Sequence, residues 1–312
     1  MSLDPQTRAL LERLNAIHFV LTRHMTPEQA RKRERALAQL ATPGETEPVA
    51  RVENRCIPNP TGDIPIRIYT PQGRGPFPML VYFHSGGGVI GDLDSDDAHC
   101  RRLANLGKCL VVSVGYHLAP EYKFPIGLEE CYAAIRWIAA HASDFDGISS
   151  QIAIGGMSAG GTIAAVLTHM ARDRMGPRLI FQLLLAPLTD FRLPDTPSLA
   201  EYAEGYLLTK EDIVWFTNHY LNSEEDKSNP LASPYLASSF AGLPPALIIT
   251  AEYDPLRDDG ERYGERLKEA GVPVTISRRN GAIHGFIVPN QLNPVLAESA
   301  AALRAAFGFT HS

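Results

Sequence analysis

Cysteine is scarce in this chain, four in 312 residues, and none of the four sits in a CxxC pair or at metal-like spacing with histidine. That excludes a disulfide framework and a zinc motif. Cys56, Cys100, Cys109 and Cys131 are expected to be reduced, buried thiols of a cytoplasmic protein. Long hydrophobic runs are missing, so no membrane span is expected. The start, Met1-Ser2-Leu3-Asp4-Pro5, has no charged stretch followed by an apolar one, which argues for a soluble, non-exported protein. Positive charge is not in surplus either. The formal charge is −6 with acids and bases interspersed, so no nucleic-acid stripe is expected. The densest basic stretch, Arg31-Lys32-Arg33-Glu34-Arg35, falls in an amphipathic helix and reads as its solvated face. Asp92-x-Asp94-x-Asp96 alternates like a calcium loop but lacks Gly at the sixth position and Glu at the twelfth. It reads as capping for the next helix, and neither metal nor cofactor is expected.

What is present is apolar material, 45% of residues, enough for the core of one large domain. Residues 4–20 and 27–41 read as helices, the second started by Thr26-Pro27-Glu28. Val49–Ile57 and Ile64–Tyr69 alternate like paired strands. Met79–His84, Leu110–Val114, Gln151–Ile154, Leu179–Leu185 and Ala246–Thr250 are short, nearly continuous apolar runs, separated by helical stretches. Strands covered on both faces look like this, so an α/β fold with a mostly parallel central sheet is expected. Residues 190–225 break the rhythm with large apolar side chains and no good strand, and read as an inserted helical subdomain.

Gly156-Met157-Ser158-Ala159-Gly160 joins one buried strand to a helix and fits G-x-S-x-G. The motif is weak alone, but a phosphate loop is unsupported, since no Lys-Ser/Thr follows. A serine on such a turn is exposed at the sheet edge, beside a helix N-terminus that favours negative charge. It still needs a base, and the base needs a carboxylate. In this architecture they follow later strands in the order Asp/Glu, then His. Asp254 and His284 stand where that order requires them. Glu252, Asp258 and Asp259 compete with Asp254, although Glu252 lies nearer the strand and the other two fall in the next helix. His84-Ser85-Gly86-Gly87-Gly88 follows the strand from Met79 and suits a backbone that presents N–H groups to an oxyanion, with Ala159 adding another.

With these stretches the chain resembles the bacterial hormone-sensitive lipase-like esterases of the α/β-hydrolase fold. The resemblance spans nearly the whole sequence. It rests also on Tyr116-His117-Leu118-Ala119-Pro120-Glu121, Leu243-Pro244-Pro245, Asp254 to Gly260 and His284-Gly285-Phe286. It implies Ser158 as nucleophile, Asp254 as orienting acid and His284 as base, with Gly86, Gly87 and Ala159 as oxyanion donors. It implies a cap from residues 1–45 and 190–225 on a catalytic body of 46–312. A pocket is expected from Phe19, Leu207, Leu208, Phe216 and Phe286. Many relatives dimerise through the last strand and helix, here 273–280 and 291–307. Ser85, Gly88, Gly115, His117 and Met157 depart from the family's usual residues. Loss of the polar residues at 115, 117 and 157 together suggests a network replaced by packing. The expected activity is hydrolysis of short- to medium-chain carboxylic esters through an acyl-enzyme. An amidase on the same triad, or a non-catalytic binder of small molecules, is the rival reading.

Overall fold

In a computed structural model, the structure describes residues 2–16, 22–41 and 47–309. Eight strands form one sheet: β1 (Arg51–Ile57), β2 (Ile64–Thr70), β3 (Phe77–Phe83), β4 (Leu110–Val114), β5 (Gly147–Met157), β6 (Leu179–Leu185), β7 (Ala246–Tyr253) and β8 (Val274–Ile283). Their order is β1-β2-β4-β3-β5-β6-β7-β8. β2 runs antiparallel to both its neighbours, and every pairing from β4 to β8 is parallel.

The helices are α1 (Pro5–Ala16), α2 (Pro27–Ala41), α3 (Asp97–Gly107), α4 (Ile126–Ala140), α5 (Ala159–Asp173), α6 (Pro197–Glu201), α7 (Lys210–Tyr220), α8 (Arg257–Glu269) and α9 (Pro289–Ala306). Side chains alternate across the sheet. Val81 and Phe83 join a core with Ile135 of α4, Leu167 of α5 and Leu267 of α8. Leu80 and Tyr82 join a second core with Leu103 of α3 and Leu296 and Leu303 of α9. Both faces are therefore covered, and this is why the strands read as unbroken apolar runs.

The strand order reverses at β3, which lies between β4 and β5. Loops leaving the carboxyl ends of β3 and β5 diverge there and open a crevice. The loop from His84 and the turn at Ser158 both start at that point.

Three expectations change. Cys56 is exposed on the edge strand β1, while the other three thiols are buried. Arg31 is not merely solvated: it donates to the Val89 and Ala119 carbonyls at 2.8 and 2.7 Å and to Glu121, fastening α2 to the body. Asp96 stands before α3 but makes no side-chain cap there. Asp92 closes its own turn instead, accepting the Asp94 and Ser95 N–H groups at 3.0 and 3.1 Å.

Candidate active site

Ser158 leaves β5 with φ 54° and ψ −119°, a backbone conformation that side chains other than glycine's rarely adopt. The turn closes because its flanks carry no side chains. A Cβ on Gly160 would lie 1.9 Å from the Phe83 carbonyl oxygen, and one on Gly156 2.5 Å from it. The Ser158 N–H donates to Leu185 O at 2.8 Å, tying the turn to β6.

His284 follows β8 directly, because that strand runs on past its apolar stretch to Ile283. Its Nε2 is 3.0 Å from Ser158 Oγ, and its Nδ1 is 2.7 Å from Asp254 Oδ2. Asp254 is fully buried, and its other oxygen accepts the Leu256 N–H at 2.8 Å. A carboxylate facing Nδ1 keeps the proton there and leaves Nε2 to accept from Oγ. The competing acids are engaged elsewhere. Glu252 accepts the Gly281 N–H at 2.7 Å. Asp258 is held by Arg257 at 2.7 Å and by the Ser198 N–H at 2.8 Å, and Asp259 is buried against Thr189.

The loop after β3 bends across Ser158. Among the described residues, no acceptor takes the N–H of Gly86, Gly87 or Ala159. Ala159 is the first residue of α5, where N–H groups are left without helical partners. Gly87 has φ +64°, and a Cβ there would lie 2.3 Å from the Phe216 ring of α7. His84 anchors the loop. Its ring stacks on Tyr116 at 4.3 Å between centroids and 5° between planes, and Nδ1 lies 2.8 Å from Ser85 O. The Tyr116 hydroxyl donates to His84 O at 3.0 Å. Burial pushes the His84 pKa down, which favours the neutral ring.

Sequence reasoning missed two acids here. Asp96 is buried, accepts the Ser85 N–H at 3.2 Å and lies 3.2 Å from His99 Nδ1. It therefore holds the start of the glycine loop. Glu34 of α2 lines the cavity above Ser158. The sequence showed Asp96 only as one of several alternating aspartates and Glu34 only as the single acid in a basic stretch.

That cavity has a volume of about 610 Å³ and reaches Ser158, His284 and the three loop glycines. Leu207, Leu208 and Phe216 line it. Phe286 does not: Gly285 and Phe286 both have positive φ, which turns the ring inward, fully buried, onto the core with Met157 and Leu296. Gly285 and Ile287 face the cavity in its place. Phe19 lies outside the described residues. Met157 also lines this cavity, whereas Gly115 and His117 line a separate cleft. His117 Nδ1 and N–H are both bound to Glu130, at 2.8 and 2.9 Å. The three departures thus do not share one packing site. Among the described residues, no group of three or more His, Cys, Asp or Glu is placed to hold a metal ion.

A family profile described as alpha/beta hydrolase fold matches residues 80–288. The chain is 45% identical over 242 residues to the carboxylic ester hydrolase LipN of Mycobacterium tuberculosis, covering 76% of this chain. The match spans 64% of LipN, slightly under two thirds of that relative's length. It is 42% identical over 291 residues to the esterase LipI of the same organism, covering 92% of this chain and 88% of LipI. A hyperthermophilic esterase from the archaeon Pyrobaculum calidifontis superposes with a TM-score of 0.94 at 38% identity, covering 98% of this chain and 99% of that one. Family match, identity and superposition agree with the geometry, and the chain belongs to the α/β-hydrolase family, among its hormone-sensitive lipase-like esterases.

Proposed function

We propose that the protein is a serine carboxylesterase acting on short- to medium-chain esters through an acyl-enzyme. One observation carries the reading: the hydrogen-bonded line Asp254–His284–Ser158 ends beside three N–H groups that no acceptor among the described residues uses. As Ser158 Oγ attacks the ester carbonyl, His284 Nε2 takes its proton. The carbonyl oxygen becomes an oxyanion held by the N–H groups of Gly86, Gly87 and Ala159. Asp254 fixes the ring and stabilises the imidazolium. The intermediate collapses, the C–O bond to the alcohol breaks, and His284 returns the proton to the leaving oxygen. Water then attacks the acyl-enzyme with the same base and the same donors, releasing the acid and restoring Ser158.

The acyl-length preference rests on the cap wall. Residues 1–45 and 190–225 are read as a cap on the body 46–312. Phe216 closes over Gly87, and Phe191 stacks on Tyr220 at 5.8 Å between centroids. A wall of rings this close to Ser158 favours short acyl groups over long ones. We also read the protein as cytoplasmic, a setting in which its four unpaired thiols stay reduced. No helix among the described residues is long and apolar enough to cross a membrane.

Ser158→Ala is expected to lower ester turnover by on the order of 10⁴-fold or more with an unchanged melting temperature. Turnover within tenfold of the parent would remove Ser158 from this role. A chromogenic series of increasing acyl length should peak at short to medium chains, and matched amides in the same plate test the amidase reading.

A further inference from the structure

The cavity over Ser158 has two unlike walls. Toward α7 it is mostly apolar, with Leu208, Ile213, Phe216 and Tyr220, although Asp212 at the start of that helix also reaches it. Toward α2 and α3 it is ionisable, with Arg33, Glu34, Asp96 and His99. Glu34 is partly buried, and among the described residues no hydrogen-bond or ion-pair partner reaches its carboxyl group.

The charges around Glu34 can be followed element by element. Arg33, next to it on α2, donates to Thr22 Oγ1 at 2.7 Å and also faces Asp212 of α7. Asp92 and Asp96 precede α3, and both add negative potential at Glu34. His99 of α3 is turned to Asp96. His284 lines the same cavity and is bound to Asp254. Among the described residues Arg33 divides its charge between Glu34 and Asp212, and His99 is turned to Asp96, so Glu34 keeps part of its negative charge without a bonded cation. Burial pushes the Glu34 pKa up to about 7; the Asp96 charge adds to this, Arg33 opposes it and Asp92 adds a little more. Asp96 itself stays below the usual carboxylate range: burial opposes that, and the hydrogen bond and charge of His99 lead the effects, the Ser85 N–H among them, that outweigh it. A carboxylate in a low-dielectric cavity without a hydrogen-bonded counter-ion is costly, and a ligand cation relieves that cost.

We infer that this arm takes the positively charged part of an ammonium-bearing ester, with Glu34 as the residue that selects it. The inference rests on the esterase reading and names its substrate class. Two carboxylates and an apolar opposite wall suit a group that is cationic at one end and hydrocarbon elsewhere. The hydrogen-bonding of Asp96 to the Ser85 N–H fixes the arm relative to the oxyanion loop, so a cation there sits in a defined relation to Ser158.

The test uses the full chain with Ser158→Ala, which binds esters without turning them over. Calorimetry compares acetylcholine with its uncharged isostere, in which carbon replaces the quaternary nitrogen. The ethyl ester of glycine betaine and its carbon isostere form a second pair, with the charge on the acyl side. The cationic member of at least one pair is expected to bind about tenfold tighter at pH 8 or more. Because Glu34 ionises as pH rises through about 7, the preference should shrink at pH 6. Glu34→Gln should reduce it to within about threefold at both pH values, and Glu34→Ala repeats the comparison should the Gln protein fold poorly. Equal affinity within both pairs, or a preference that survives loss of Glu34, overturns the inference. Turnover of the uncharged isosteres by the intact enzyme reads the esterase proposal separately, so either can fail alone.

Discussion

Asp259 shows how burial shifts a carboxyl group toward its neutral form. Its Oδ2 accepts both the N–H and, at 2.9 Å, the hydroxyl of Thr189, while its Oδ1 is buried with no partner among the described residues. Burial pushes its pKa up to about 7; the Thr189 bonds oppose this and the Asp190 charge adds to it. A proton on Oδ1 fits that geometry. Because the folded value lies above the unfolded value of 3.8, the folded chain holds a proton that the unfolded chain releases between those limits. This group's contribution to stability therefore falls as pH rises from about 4 to about 7. Asp259→Asn keeps an acceptor for Thr189 and does not titrate. The variant's melting temperature should gain on the parent's between about pH 5 and pH 8, and an offset that stays constant would show that Asp259 is already ionised. Residues of this kind were not legible in the sequence, and neither were Glu34 and Asp96. Their roles follow from burial, which tertiary packing imposes on ordinary-looking acidic positions. Ser158, Asp254 and His284 were legible, because nucleophilic chemistry fixes both residue type and chain order. Phe286 misled for a related reason: its neighbour to His284 promised a pocket, but the positive φ at Gly285 and Phe286 sends the ring to the core.

At the scale of elements, α7 is the piece whose position the cavity depends on. A capping box starts it: Thr209 Oγ1 accepts the Asp212 N–H at 3.0 Å, and Asp212 accepts from the Thr209 N–H at 3.2 Å. Arg23 joins the same cluster, donating from its side chain to Thr209 Oγ1 and from its backbone to Asp212, each at 2.8 Å. One threonine thus holds the start of α7 and the chain ahead of α2 together. Thr209→Ala should destabilise by about 1 kcal/mol, rising toward ~2 kcal/mol because it also removes an Arg23 hydrogen bond. Since Phe216 and Tyr220 ride on α7, the same variant should flatten the acyl-length profile. A profile of unchanged sharpness would show that the cap wall is held from elsewhere. The helices and strands themselves were largely legible, because covered strands leave apolar runs and helices leave a longer period. The ends of β5 and β8 were not. β5 starts at Gly147, where it pairs with Phe77, and β8 runs to Ile283 past a register shift against β7. Backbone pairing extends both beyond any apolar signal.

At the scale of the whole molecule, the sheet has two edges, β1 and β8. An unpaired edge offers backbone groups to another chain unless something blunts it. The far end of β8 is covered, since Asp4 N–H donates to Gly281 O at 3.1 Å. The stretch before it, Val274 to Asn280, ends the sheet, with Thr275, Arg278 and Asn280 exposed along it. Charges on an edge usually discourage pairing, but here they are matched within the chain. Arg278 makes a two-pronged contact to Glu261 at 2.8 and 2.6 Å, and Arg279 is bound to Glu298 of α9. The edge therefore carries little net repulsion against a copy of itself. Two β8 strands related by a two-fold axis would extend the sheets antiparallel and bring the α9 helices alongside, a self-complementary contact that closes at two chains. We expect a homodimer through β8 and α9, read by light scattering at micromolar concentration as twice the mass of the chain. Thr275→Lys would set like charges near each other across the axis and should shift the protein toward monomer, more strongly at low salt than at high salt. A parent that scatters as a monomer overturns the expectation, and a dimer indifferent to Thr275→Lys moves the interface to another face.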